Sequence, residues 1–306
     1  MTQAQLLCNL EVPGRRIDAV LDTDTYNEID DQFAVAYLLR MPERVRVCGL
    51  TAAPFLNARS SSPADGMEKS YRELQKILTL AGRADLLDRT FRGSERFLPD
   101  ENTPVPSDAA DYLVQLSASY SAEKPLYIVA IGAITNVASA LLLDPSMKER
   151  VVVVWLGGHA RSWVDTREFN MMQDVAAARV VFGCGVPLVQ LPCIGVVDRF
   201  LTTRYELEHW LAGKNELCDY LVRNTVEEAE RYAAGKPWSR VIWDVTAVAW
   251  LVNDDDRFLH TRLVPAPIPE YDDRYADAPE RHLMRVADRV DRDALFADLV
   301  RRLTES

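Results

Sequence analysis

The chain of 306 residues is 48% hydrophobic and 8% aromatic, which is ample for one large α/β domain or two smaller ones. Its formal net charge of −11 argues against a nucleic-acid groove, because such a groove needs clustered lysine and arginine. The five cysteines form no CxxC pair, so we expect a reduced, cytoplasmic protein. We find no signal-peptide pattern and no apolar run of membrane-spanning length, and we therefore expect no membrane partner.

The first predicted elements enclose a cluster of acids. Residues 17–21 form a short apolar run that predicts a buried strand, and residues 33–39 are apolar on all sides, as in a buried helix. The acids between them are Asp22, Asp24, Glu28, Asp30 and Asp31. One aspartate here would be explained as a helix cap, but several crowded carboxylates repel one another unless a positive group lies among them. A hard divalent cation, which prefers oxygen ligands, fits this cluster best.

The middle of the chain alternates between apolar strands and helical stretches. Further strands are predicted at residues 45–53, 90–93, 126–131, 151–156 and 186–191. Helices are predicted at residues 67–80, 108–119, 137–143 and 174–182. This alternation predicts an α/β fold with a mostly parallel central sheet that is flanked by helices on both faces.

The last third of the chain is predicted to be a mainly helical C-terminal rim. Its helices are expected at residues 206–212, 216–234, 243–252 and 293–303, and an edge strand is expected at residues 259–264. Because no internal repeat or long linker interrupts the chain, we expect a single domain over residues 1–306.

Polar residues follow four of the predicted strand ends. They are Asp22 and Asp24, Thr135 and Asn136, His159 with the segment up to Asn170, and the region after residue 191. Ligands of such folds bind outside the carboxyl ends of the strands. We therefore expect these four groups to converge on one crevice.

Two other kinds of site match the acid cluster less well. An EF-hand loop needs glycine at its sixth position and glutamate at its twelfth, where this chain has Asn27 and Phe33. A haloacid-dehalogenase-type phosphatase also ends a strand in DxDx(T/V), which Asp22 and Asp24 fit. Tyr26 stands at the Thr/Val position, however, and no downstream GDxxxD motif follows. The phosphatase remains an alternative.

Four segments, taken in order, resemble the inosine/uridine-preferring nucleoside hydrolase family. DTDTYNEIDD is similar to the family's DTDPGIDD signature, and IGAITNVASALLLDP is similar to its GPLTN segment. WLGGHA followed by EFNMMQDVAAARVVFGCGVPLVQLP is similar to the GG…EFN…D…AA…GVP block, and WDVTAVAWL is similar to the late HDPLAVAYL motif. The resemblance covers nearly the whole chain and implies the family's Rossmann-like fold.

The resemblance implies a calcium site and a ribose site. The implied Ca²⁺ ligands are Asp24, Asp31, the main-chain carbonyl of Thr135, and Asp244. The implied ribose-binding residues are Asp30, Glu168 and Asn170. Asp22 would support the site without binding the ion.

The implied function is calcium-dependent hydrolysis of the N-glycosidic bond of a ribonucleoside or related N-riboside, which gives ribose and a free base. Asp24 would remove a proton from the attacking water. The bond would break through an oxocarbenium-like state, as in glycoside hydrolysis generally, without a covalent intermediate. The resemblance also implies a role in purine or pyrimidine salvage and a homodimer or homotetramer.

Two departures from the family pattern concern the loop near the sugar and the leaving base. Two extra residues lie between Asp24 and Asp30, so this loop must differ in shape. Trp243 stands where many pyrimidine-cleaving members carry a histidine that protonates the leaving base. His159 could substitute for that histidine, or Trp243 could stack on a purine.

A third departure concerns two asparagines of the sugar site. Ala53 and Pro54 stand where the family has an asparagine after the second strand, and Asn57 is the nearby candidate. Ser162 replaces a second asparagine. These losses keep open a nucleoside- or ribose-binding protein with weak or no catalysis on the same scaffold.

Overall fold

The computed structural model describes residues 1–305, and its centre is a sheet of eight strands. The described residues form twelve strands, of which eight belong to this sheet. The twelve strands are β1 (Ile17–Thr23), β2 (Val45–Ala52), β3 (Thr90–Arg92), β4 (Leu126–Ala130), β5 (Val151–Leu156), β6 (Leu188–Leu191), β7 (Leu201–Thr202), β8 (Arg240–Val241), β9 (Leu259–Pro265), β10 (Ile268–Pro269), β11 (Tyr275–Ala276) and β12 (Leu283–Val290). The order in the large sheet is β3-β2-β1-β4-β5-β6-β12-β9, and only the pair β12–β9 is antiparallel. The prediction of a mostly parallel sheet is confirmed.

Helices cover both faces of this sheet. They are α1 (Gln3–Asn9), α2 (Asp31–Leu39), α3 (Pro63–Leu80), α4 (Asp108–Ser117), α5 (Thr135–Leu143), α6 (Phe169–Gln173), α7 (Val175–Gly183), α8 (Arg204–Trp210), α9 (Glu216–Ala233), α10 (Val245–Trp250) and α11 (Arg292–Thr304). Successive strand residues point to opposite faces. Leu21 and Val154 therefore join a core with α2, α10 and α11, whereas Val20 and Val153 join a core with α4, α5 and α7.

The structure adds elements that the sequence pattern did not predict. The strand β12 lies between β6 and β9, so the C-terminal third supplies two strands of the large sheet in addition to its helices. The apolar run of β12 is interrupted by Arg285, Asp288 and Arg289, which hides its strand character. The helix α3 begins at Pro63, four residues before the predicted start, because the Ser62 hydroxyl caps it by accepting from the Asp65 N–H at 3.1 Å. No helix in the described part of the chain is long and apolar enough to cross a lipid bilayer.

The helix that follows the acid cluster, α2, is held from behind by α11. Asp298 of α11 is only 8% exposed, and its carboxylate accepts hydrogen bonds from the Tyr37 hydroxyl (2.6 Å), Arg301 (2.6 Å) and Arg302 (2.8 Å). Burial alone would raise the pKa of Asp298, but these three donors hold the pKa below its ordinary value of 3.8. The ionised carboxylate therefore binds these donors more strongly than the neutral acid would, and it helps to fix the position of α2.

We predict that Asp298→Ala lowers the free energy of unfolding by about 2–4 kcal/mol at pH 7, because the buried Tyr37 hydroxyl and Arg302 lose their acceptor. Urea unfolding followed by circular dichroism measures the change. Because the folded-state pKa is depressed, the difference from wild type should be complete above pH 3.8 and shrink as the pH falls below it.

The control for this prediction is Asp293→Asn on the same helix. The Asp293 side chain is 93% exposed, so its replacement should change the stability by less than about 0.5 kcal/mol. Equal destabilisation by the two variants would contradict the role assigned to Asp298.

Candidate functional site

A crevice of about 250 Å³ opens at the carboxyl ends of the central strands. It is lined by residues that follow β1, β4, β5 and β6, and by the start of α10. Eight of the ten residues expected to form the site lie in its wall: Asp24, Asp30, Asp31, His159, Glu168, Asn170, Trp243 and Asp244. Of the four groups expected to converge, three contribute to this wall: Asp24, the segment from His159 to Asn170, and the region after residue 191. Thr135 and Asn136 do not line it.

The acids of the crevice are placed by the N-terminal ends of two buried helices. β1 ends at Thr23, Asp24 follows it directly, and α2 begins at Asp31. Asp244 immediately precedes α10, which lies beside α2. Asp30, Asp31 and Asp244 each offer a carboxylate oxygen, and these three oxygens lie within 4.8 Å of one another.

Asp24 is a buried acid that follows directly after β1. It is 1% exposed, and neither of its carboxylate oxygens has a hydrogen-bond partner among the described residues. Burial raises the pKa of Asp24, and the neighbouring charges of Asp31 and Asp30 raise it further. A buried carboxylate without partners is unfavourable, so this position is suited to a ligand that supplies positive charge.

The neighbouring acids are also destabilised as carboxylates. Burial raises the pKa of Asp31 to about 7, although the Thr23 hydroxyl donates a hydrogen bond to it at 2.5 Å. Burial and then the charge of Asp30 raise the pKa of Asp244. A hard divalent cation that bridges these oxygens would relieve the repulsion. The donor set of Asp24, Asp31 and Asp244 therefore fits a metal ion.

Asp22 lies behind the crevice and is not part of its wall. Its Oδ1 accepts from the Thr51 hydroxyl (2.6 Å) and from Asn136 Nδ2 (2.8 Å). Asn136 Nδ2 also donates to the Ala52 carbonyl at 3.1 Å, which joins the ends of β1 and β2 to the start of α5. Burial raises the pKa of Asp22 to about 6. Asp22 thus holds the strand ends together beneath the acids.

The segment after β5 supplies Glu168 and Asn170. The Glu168 carboxylate caps α6 by accepting from the main-chain N–H groups of Gly158 (2.8 Å), Asn170 (2.8 Å) and Met171 (2.9 Å). Asn170 Nδ2 donates to the carbonyls of Leu156 (3.0 Å) and Ile131 (3.2 Å). Both side chains are therefore fixed by the main chain before any ligand binds.

His159 is held as a neutral imidazole. Its Nδ1 accepts from the Ile194 N–H at 3.2 Å, so the ring proton is on Nε2. Burial lowers the pKa of His159 below its ordinary value of 6.5. At neutral pH this histidine is therefore a poor source of a proton for a leaving base.

Thr135 does not lie where the resemblance implied. It is the first residue of α5, its hydroxyl donates to Asp174 at 2.7 Å, and it does not line the crevice. Its carbonyl points along the helix, as all helical carbonyls do. Ile131 lines the crevice instead, and a Cβ added to the next residue, Gly132, would lie only 3.0 Å from Asp24 Oδ1. Ile131 is thus the better candidate for a carbonyl ligand.

Asn57 also lies outside the wall of the crevice. Its side chain donates to Asn27 Oδ1 at 2.6 Å, and it is Asn27 that lines the crevice. Asn27 belongs to the loop that carries the two extra residues. The extra length of this loop was the sequence feature that could have pointed to Asn27 as a residue of the site. Arg167 and Phe169 also line the wall, and their position next to Glu168 was the signal for them.

A family model for the inosine-uridine preferring nucleoside hydrolase matches residues 19–297. A probable uridine nucleosidase 2 from Arabidopsis thaliana is 28% identical over 236 residues, which cover 69% of each chain. Two solved structures share the fold at 20% identity. The plant nucleoside hydrolase PpNRh1 has a TM-score of 0.75, with 95% of this chain and 99% of that chain covered. A purine-preferring ribonucleoside hydrolase from Gardnerella vaginalis has a TM-score of 0.74, with 94% and 98% covered.

The similarity thus extends over the same strands and helices that place the acids around the crevice. The chain belongs to the inosine-uridine preferring nucleoside hydrolase family.

Proposed function

We propose that the protein hydrolyses the N-glycosidic bond of a ribonucleoside or a related N-riboside and releases ribose and a free base. The observation that carries this proposal is the Asp24 carboxylate, which is buried at the crevice with both oxygens unpartnered beside Asp30 and Asp31. A carboxylate in this state can take up a proton as a general base, and it can bind a cation.

Calcium is the metal ion that we propose for the acid cluster, because a set of carboxylates and one main-chain carbonyl is the kind of ligand set that it accepts. Asp24, Asp31 and Asp244 would hold it, together with the carbonyl of Ile131 in place of that of Thr135. When bound, the ion would fix the sugar hydroxyls and lower the pKa of a water molecule.

The side chains of the crevice would carry out the proton transfer and stabilise the developing charge. Asp24 takes a proton from the water whose oxygen forms the new bond to the anomeric carbon. The bond to the base breaks, and its electron pair leaves with the base nitrogen. Asp30 accepts a hydrogen bond from a ribose hydroxyl, and the surrounding carboxylates stabilise the positive charge on the sugar.

The base would bind against Trp243. This side chain lines the crevice next to Asp244, and Phe169 and Ile194 add apolar surface. An aromatic face of this kind binds a flat heterocycle by stacking. Because His159 is held neutral, stacking on Trp243 is the better explanation of how the base is bound and activated.

Two alternatives make different use of the same residues. A phosphatase of the haloacid-dehalogenase type would need Asp22 as its nucleophile, but Asp22 lies beneath the crevice and is held by Thr51 and Asn136. A sugar-binding protein without catalysis would bind nucleosides and form no product on long incubation. The nucleoside panel below distinguishes this second alternative from the enzyme.

We predict that calcium raises the melting temperature of the wild-type protein by about 5 °C at a hundredfold excess over Kd, which corresponds to ~2.7 kcal/mol. Asp24→Asn should abolish this shift. In the presence of a chelator the variant should melt at a higher temperature than wild type, because one of the repelling carboxyl groups is gone. Differential scanning fluorimetry measures both effects, with Asp272→Asn at an exposed position as control. A calcium shift of equal size in Asp24→Asn would contradict the assignment.

We predict that the wild-type protein releases reducing sugar from at least one member of a panel of purine and pyrimidine ribonucleosides in the presence of calcium. Asp24→Asn should lower kcat by about 10²–10⁴-fold because the general base is lost. Asp272→Asn should keep the wild-type rate. A rate that survives in Asp24→Asn would remove Asp24 as the base.

We predict that Trp243→Leu raises KM for the hydrolysed nucleoside by about fivefold or more, because stacking of a base on an aromatic side chain contributes ~1–3 kcal/mol. The inhibition constant of free ribose should change by less than about twofold, because ribose has no base to stack. If ribose and nucleoside binding were weakened equally, Trp243 would act on the shape of the whole crevice and not on the base.

A further inference from the structure

The hydrogen-bonding groups of the crevice are mostly acceptors. Its wall contains six carboxyl groups, from Asp24, Glu28, Asp30, Asp31, Glu168 and Asp244. A sugar hydroxyl both donates and accepts, so it also needs donors from the protein. Two carboxamides, Asn27 and Asn170, line the crevice. Arg167, His159 and Trp243 of the wall also carry N–H groups. Of the two carboxamides, Asn170 Nδ2 already donates to two main-chain carbonyls, so Asn27 is the carboxamide whose N–H group can still be free for a sugar.

The orientation of Asn27 follows from a main-chain N–H. The Arg59 N–H donates to Asn57 Oδ1 at 2.8 Å, and an N–H cannot accept, so the Asn57 amide cannot be reversed. Asn57 Nδ2 therefore donates to Asn27 Oδ1 at 2.6 Å. The Asn27 oxygen is thus occupied, and Asn27 Nδ2, on a partly buried side chain, donates to no acceptor among residues 1–305.

The main chain of Asn27 is fixed relative to Asp24. The Asn27 N–H donates to the Asp24 carbonyl at 2.7 Å, which closes a tight turn directly after the proposed base. Gln32 of α2 donates from Nε2 to the Thr25 carbonyl at 2.8 Å and anchors the loop to the helix. The free amide of Asn27 is therefore held in the wall of the same crevice as Asp24.

We propose that Asn27 binds the substrate by donating a hydrogen bond from Nδ2 to a hydroxyl group of the sugar. Asn57 is a positioning residue that acts through Asn27. This inference rests on the proposed function, because a sugar is the ligand that the function places in the crevice. It explains how the extra loop length can replace the asparagine that is missing after β2, where Ala53 and Pro54 offer no donor side chain.

The test compares wild type with Asn27→Ala on the best ribonucleoside substrate and on its 2′-, 3′- and 5′-deoxy analogues. We expect kcat/KM for the parent nucleoside to fall about fivefold to tenfold, as for the loss of one hydrogen bond. On the analogue that lacks the contacted hydroxyl, the two proteins should have the same kcat/KM. An equal loss on all four substrates overturns the proposal, because a structural defect does not depend on one hydroxyl.

Two further variants test the orientation. Asn57→Asp offers only acceptors to Asn27, so it should turn the Asn27 amide and produce at least the loss seen in Asn27→Ala, with the same dependence on one hydroxyl. Wild-type behaviour of Asn57→Asp would overturn the role of Asn57. Asn102→Ala, at an exposed position, should leave kcat/KM unchanged.

A failure of the proposed function is distinguishable in the same experiment. If the wild-type protein hydrolyses none of the nucleosides, isothermal calorimetry with the same four ligands still measures the dependence on one hydroxyl through Kd. Binding that is weakened fivefold to tenfold in Asn27→Ala, except for one deoxy analogue, supports the inference without catalysis. Absence of any binding to the wild-type protein overturns both proposals.

Discussion

The mutual repulsion of buried carboxyl groups is the constraint on which the rest of this structure depends. Asp24 follows β1 directly, and Asp30, Asp31 and Asp244 lie at the N-terminal ends of α2 and α10. Burial together with neighbouring charge raises the pKa of each of these four acids. The fold keeps them together because every residue of α2 and α10 is buried in the packed core. Packing on one side of the site thus holds an arrangement that electrostatics alone would separate, as expected where stability is given up for function.

Most of the sheet could be predicted from the sequence because buried parallel strands are nearly continuous apolar runs. The strand β5 has the predicted bounds of 151–156, and β1 extends past its apolar run by only the two residues Asp22 and Thr23. The strand β12 escaped prediction because it lies next to the edge strand β9 and carries charged residues among its apolar ones. A continuous apolar run indicates a strand that is buried on both faces, and strict alternation indicates one open face; β12 follows neither pattern.

The acids of the site were easier to predict than their partners. Five carboxylates between two apolar runs stand out in a sequence, whatever the loop geometry. The carbonyl expected from Thr135 lies instead inside α5, since a helix start cannot be placed to within a few residues from its composition alone. Asn57 was expected in the crevice. The loop between Asp24 and Asp30 supplies Asn27 to the wall instead, and Asn57 contacts Asn27 from outside the wall. The position of a side chain on a loop of unusual length cannot be predicted from the sequence and has to be read from the structure.

The late position of β12 in the chain also has a consequence for the newly made protein. While the ribosome has not yet released residues 283–290, β6 has only β5 beside it and its other edge is open. An unpaired strand edge invites wrong partners, including the same edge of another nascent copy. Asp244 likewise reaches the acids of β1 only after more than two hundred residues have been synthesised. Assembly of the crevice is thus among the last events of biosynthesis, and a prematurely ended chain would expose an aggregation-prone border.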